Sequence, residues 1–133
     1  DKVLNAFDEA LRHVSPFRVS HRVTVPEGCE FAGARLEGDR KIAIFMEAAN
    51  RDPRKWPQAD RYDPSRAAVT EHLAFGHGAH KCIGLLVARY EAEALLRAVI
   101  RQVDQLTFAG ESEPAYRRIN TLRSLVDLPL EAH

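Results

Sequence analysis

Phe75-Gly76-His77-Gly78-Ala79-His80-Lys81-Cys82-Ile83-Gly84 places three glycines, two histidines and a cysteine within ten residues. Directly after it, Ala88, Ala92, Leu95, Leu96, Val99, Ile100 and Val103 recur at helical spacing. That spacing predicts a long amphipathic helix over about 83–103. Arg89, Glu91, Glu93, Arg97 and Arg101 fall on its other faces. Glycine lets a backbone approach a partner closely, and an unpaired cysteine serves as a metal ligand or a nucleophile. The rest of the chain reads as support for whatever sits against this loop.

With 133 residues the chain is one domain's worth at most. Hydrophobic residues make up 45% and charged residues 29%, a globular balance that argues against disorder. Nineteen basic residues offset nineteen acidic ones, so no basic excess points to nucleic acid or an anionic membrane surface. No apolar run is long enough to span a bilayer, and no signal-peptide pattern is present. Two cysteines, Cys29 and Cys82, make a poor disulfide framework. That favours a reducing, cytoplasmic setting. The absence of an initiator Met and the immediate helical periodicity suggest a piece of something longer.

Upstream, Val3, Leu4, Phe7, Leu11 and Val14 share one face of a helix over residues 2–14, which Pro16 ends. Glu9 and Arg12, three apart, are neighbours there. On spacing alone they read as a solvated pair. Phe17, Val19, His21, Val23 and Val25 alternate with polar residues as in a half-buried strand. A short strand over 30–36, interrupted by Gly33, and an apolar strand over 41–46 complete a small, mostly antiparallel sheet. Residues 47–50 suit one helical turn. Residues 51–66 hold three prolines and many charges; Trp56 and Tyr62 within them are worth burying, so the stretch reads as a wrapped loop. Residues 104–133 return to short strand-like pieces.

The residues of the loop leave several chemistries open. A phosphate cradle is the weakest, because Gly76-x-Gly78 lacks a third glycine and Lys81 is not followed by Ser or Thr. His72, His77, His80 and Cys82 are four ligands of the type zinc takes, but all from one eleven-residue stretch. A nucleophilic cysteine needs a base, and no residue is singled out as one.

The ten residues as a whole resemble the heme-binding loop of the cytochrome P450 family. That pattern is matched by Phe75, Gly76, Gly78, His80, Cys82, Ile83 and Gly84. The resemblance implies heme b with Cys82 as the axial ligand of its iron, Phe75 packed beside the sulfur, and His80 bonded to a propionate. The physics fits this. The start of a helix favours an anionic sulfur, and glycines at 78 and 84 admit a flat porphyrin. A thiolate ligand favours O–O bond cleavage.

Glu9-Ala10-Leu11-Arg12 resembles the family's Glu-x-x-Arg motif, and Asp60-Arg61-Tyr62-Asp63 resembles the segment that supplies its third member. The resemblance therefore turns Glu9 and Arg12 from a solvated pair into a buried network completed by Arg61. Arg22 resembles the arginine that meets a heme propionate. Residues 48–53 and 86–91 also resemble family segments. The turn over 33–38 departs, being short and without the family's proline.

The implied fold is an α+β fragment of the mainly helical cytochrome P450 fold: two long helices, a small antiparallel sheet, a proline-rich meander and a cysteine loop. Residues 1–133 correspond to its C-terminal, heme-proximal third. The implied activity is that of a heme-thiolate monooxygenase, inserting one oxygen atom of O2 into a small organic substrate. Its electrons would come from a ferredoxin or flavoprotein reductase. The oxygen-activating helix has no counterpart here, so no catalytic residue beyond the heme ligand is expected, nor activity from these residues alone. A non-catalytic heme-binding or interaction module is the alternative, beside the zinc site. Helix faces left uncovered would promote self-association.

Overall fold

The computed structural model describes residues 2–133. Helix α1 (Lys2–Val14) opens the fold. It stops because Ser15 turns left-handed (φ 47°), its N–H closing on the Leu11 carbonyl at 2.9 Å, and Pro16 follows. Val3, Leu4, Phe7 and Leu11 are half-buried, while the deepest face of α1 is polar: Asp8, Glu9 and Arg12.

Strand β1 (Val19–Val23) pairs antiparallel with β4 (Lys41–Phe45), Val19 opposite Phe45 and Val23 opposite Lys41. Thr24 clips the end of this ribbon. Its hydroxyl donates to the Glu37 carbonyl at 2.7 Å and accepts the Arg40 N–H at 2.9 Å. The single interrupted strand expected over 30–36 is instead a hairpin, β2 (Cys29–Phe31) on β3 (Ala34–Leu36). Ala32 and Gly33 both take positive φ, and a left-handed two-residue turn folds a strand back on itself. Helix α2 (Met46–Asn50) follows β4 directly. After the long loop comes α3 (Leu85–Gln102), which packs on α1. Strand β5 (Leu106–Phe108) ends antiparallel to β6 (Leu130–Ala132) near the C-terminus. The sheet expected over residues 17–46 is thus divided into two ribbons, β1–β4 and β2–β3, and among the described residues β5–β6 forms a third.

Residues 51–66 wrap as expected, but around one aromatic. Trp56 is 3% exposed, its indole N–H donating to the Ala49 carbonyl at 3.1 Å. Tyr62, expected to be buried, is 46% exposed and uses its hydroxyl to donate to the Ala6 carbonyl. A phenol that finds its partner at the edge of a helix has no need to enter the core.

Helix α3 departs from the sequence expectation on its apolar faces. Ala88, Ala92, Leu96, Val99 and Val103 of the expected stripe are half-buried, but Leu95 and Ile100 are exposed. A second apolar row, Ile83, Leu86, Val87 and Tyr90, is also exposed. Its spacing of three, one and three is helical, and it begins one residue after Cys82.

Candidate functional site

Two structures meet around α1: a buried ion network and the cysteine loop. In the network Glu9 and Arg12 have wholly buried side chains. Arg12 Nε donates to Glu9 Oε2 at 2.7 Å and Nη2 to Oε1 at 2.9 Å, a two-pronged pair. Arg12 also donates to the carbonyls of Asn50 (2.7 Å), Ala59 (2.9 Å) and Arg61 (3.2 Å). One guanidinium therefore ties α1 to α2 and to the wrapped loop. The spacing puts this pair on the surface; the fold buries it.

The third cation is Arg66, not Arg61. Arg66 Nε lies 3.2 Å from both Glu9 oxygens, and its side chain is 9% exposed. Arg61 is exposed, and enters the network only through its backbone carbonyl. The cause is local. Asp63 accepts from the Ser65 N–H and hydroxyl, and the Arg66 N–H closes on the Asp63 carbonyl, so this turn brings residue 66 back toward α1.

Burial alone raises the pKa of Glu9. Hydrogen bonds from Arg12, the Asp63 N–H and Arg66 outweigh that and hold it below the usual 4.5. A depressed carboxyl binds fewer protons folded than unfolded. Its stabilising contribution is therefore complete above about pH 4.5 and lost as pH falls through the depressed value. Melting temperature measured against pH should show this acid slope in the native chain and a weaker one in Glu9→Gln.

The cysteine loop runs from Phe75 to the start of α3. Its two ends are joined by a hydrogen bond from the Cys82 N–H to the Phe75 carbonyl at 2.8 Å. Between them a single 3-10 turn, Gly78–His80, carries the histidine. Gly76 stands at φ +72°, where an added Cβ would lie 3.0 Å from the His80 carbonyl oxygen. Gly76→Ala should therefore cost about 1–3 kcal/mol, measured by denaturant midpoint, since backbone rather than a flexible side chain meets the new methyl. Gly78 is also left-handed, at φ +61°. Gly84 caps α3, where a Cβ would meet Cys82 Sγ at an ordinary 3.8 Å.

Cys82 is a free, exposed thiol. His80 and His77 are exposed, whereas His72 is buried and turned toward Asp8. Among the described residues no three His, Cys, Asp or Glu side chains converge as a metal ion needs, so the zinc arrangement of His72, His77, His80 and Cys82 is not formed. Arg22 sits half-buried on β1, where it donates to Ser20 Oγ and the His21 carbonyl, both at 2.7 Å. Those bonds lie within its own strand.

A lone exposed thiol, ahead of a helix and beside an uncovered apolar row, is the donor set of a single-thiolate site. The family model for cytochrome P450 matches residues 3–119. The chain belongs to the cytochrome P450 family. It is 44% identical over 128 residues to cytochrome P450 CYP199A2 of Rhodopseudomonas palustris, covering 96% of this chain and 30% of that protein. It is 32% identical to 6-deoxyerythronolide B hydroxylase of Saccharopolyspora erythraea, covering 95% of this chain and 31% of that protein. Among solved structures, P450BioI, in complex with an acyl carrier protein ligated by hexadec-9Z-enoic acid, superposes with a TM-score of 0.92 at 31% identity. All of this chain and 34% of that one are covered. The chain thus spans about a third of the length of the curated relatives it matches.

The P450 family carries heme b. The residues present fit that group. Cys82 offers an uncommitted sulfur, Gly78 has open space where a Cβ would stand, and Ile83, Leu86 and Val87 offer apolar surface beside the thiol. Among the described residues no helix is long and apolar enough to cross a membrane.

Proposed function

We propose that residues 1–133 are the heme-proximal part of a P450 heme-thiolate monooxygenase, which inserts one atom of O2 into a small organic substrate. The observation that carries this reading is Cys82, free and exposed at the head of α3 in a loop closed by its own N–H to Phe75. Cys82 would hold the iron through its sulfur, Phe75 would screen that sulfur from water, and Gly76, Gly78 and Gly84 would leave room for the macrocycle. His80 and Arg22 would meet the propionates. Ile83 would contribute apolar contact. Glu9 and Arg12, with Arg66, would keep the floor under the loop rigid. Heme, when bound, supplies the oxygen and electron-transfer chemistry that no side chain here can perform.

The electrons would come from a ferredoxin or flavoprotein reductase. The bacterial relatives support a cytoplasmic enzyme. The name of the Saccharopolyspora relative, a hydroxylase, supports an organic substrate.

The test is to purify the protein as it is expressed and measure heme content and the reduced, CO-bound spectrum. Stoichiometric heme with a thiolate-type Soret band supports the reading. Purification with zinc and without heme uptake overturns it.

A further inference from the structure

Behind the loop lies a group of ionisable side chains that the loop motif does not contain. His72 is 6% exposed and three residues ahead of Phe75. Its Nδ1 accepts the Ala74 N–H at 3.0 Å, which leaves the proton of the neutral ring on Nε2. That Nε2 faces Asp8 Oδ1 of α1 at 3.6 Å. The other oxygen of Asp8 lies 2.9 Å from Arg89 Nη1 of α3. The His72 ring also leans on Phe75, with ring centroids 5.8 Å apart. Phe75 in turn holds the Cys82 N–H. A connected path thus runs from both long helices to the backbone of the cysteine.

Asp8 is poorly arranged for stability alone. It is 1% exposed, yet neither oxygen has a partner aligned as a hydrogen bond. Burying a carboxylate is costly, and a well-packed apolar side chain commonly does as well or better for stability. What Asp8 does provide is orientation. Its Oδ1 stands 3.6 Å from Nε2 of the His72 ring, and that ring accepts the Ala74 N–H and leans on Phe75. Partners of this kind around a metal ligand govern affinity and electronics as well as packing.

We propose that Asp8, His72 and Arg89 form a positioning relay that fixes, through Ala74 and Phe75, where the Cys82 sulfur stands relative to the heme iron. The relay rests on the heme-thiolate reading above. None of the three is a catalytic residue.

The two contacts of His72 can be separated in the heme-loaded protein. His72→Asn keeps an acceptor at the Nδ1 position but does not reach Asp8. His72→Leu removes both contacts. Arg89→Lys keeps the cation beside Asp8, and Arg89→Leu does not. Heme loss to an excess of heme-free acceptor protein is timed, and the iron midpoint potential and the thiolate-type band are recorded. His72→Leu and Arg89→Leu are expected to lose heme roughly tenfold faster and to shift the potential, the scale on which outer partners of a metal ligand act. Arg89→Lys should stay near wild type, and His72→Asn should fall between.

Met46→Ala, a core variant away from the loop, supplies the control for lost stability. If it releases heme as fast as His72→Leu at equal loss of melting temperature, the relay is only structural and the proposal fails. Unchanged heme release and potential in His72→Leu and Arg89→Leu overturn the relay while leaving the heme reading intact. A wild-type protein without a thiolate-type band overturns the heme reading and the relay with it.

Discussion

Arg12→Met is expected to destabilise the fold by about 3–5 kcal/mol, the cost of removing one member of a buried ion pair. That is a large share of the roughly 5–15 kcal/mol that separates folded from unfolded domains. The geometry explains the size. Glu9 would keep Arg66 at 3.2 Å but lose the two-pronged bond at 2.7 and 2.9 Å. The carbonyls of Asn50 and Ala59 would lose their donor in the same step. Denaturant unfolding should show the midpoint collapse, and Glu9→Gln combined with Arg12→Met should recover part of it, because the stranded charge is then gone. The comparison that isolates burial is Arg54→Met. Arg54 pairs with Asp52 closely enough to lower that carboxyl to about 2, yet Arg54 is exposed to solvent and Asp52 only half-buried. Its midpoint should not move measurably. Equal losses in Arg12→Met and Arg54→Met would sink the view that burial decides.

These two pairs also mark how much could be read from the sequence. Glu9-Arg12 and Asp52-Arg54 are both local carboxylate–guanidinium pairs, three and two residues apart, and nothing but the resemblance to a P450 motif marks the first as buried. The same motif left the third cation undetermined, because Arg61 and Arg66 both lie in the charged stretch. What selects Arg66 is the turn at Asp63-Pro64-Ser65, whose side-chain bonds were open to reading as an Asp-Pro-Ser signal. The cysteine loop was legible because glycine spacing and chemistry coincide there. The Asp8–His72–Arg89 group was not, since its members are 64 and 17 residues apart and only the packing of α1 on α3 brings them together. The second apolar row, which starts at Ile83 ahead of α3 and runs on through Leu86, Val87 and Tyr90, was present in the sequence. It was masked because the adjacent stripe is longer, and periodicity names one face more readily than two. The short hairpin at β2 and β3 turned on Ala32, whose left-handed backbone no propensity would have assigned.

Cys82→Ser should abolish the thiolate-type band of the reduced, CO-bound protein, whereas Cys29→Ser should leave it unchanged. Both are free cysteines, so the pair of variants asks which environment makes a ligand. Cys29 opens β2, paired in register with Leu36, and is half-buried against its own hairpin. Cys82 is exposed, two residues ahead of the α3 cap at Gly84, with its N–H committed to Phe75 and its sulfur uncommitted. Serine preserves size and the backbone bond, so the loop should persist. What changes is the donor atom: a hydroxyl is a harder ligand than sulfur, and soft thiolate is what ties this iron chemistry to sulfur. The expected outcome is a folded protein, with an unchanged melting profile in the heme-free state, that has lost the thiolate signature and retains heme weakly. Retention of the full band in Cys82→Ser, or its loss in Cys29→Ser, would move the ligand away from this loop. The function proposed for the chain would then have lost the observation that carries it.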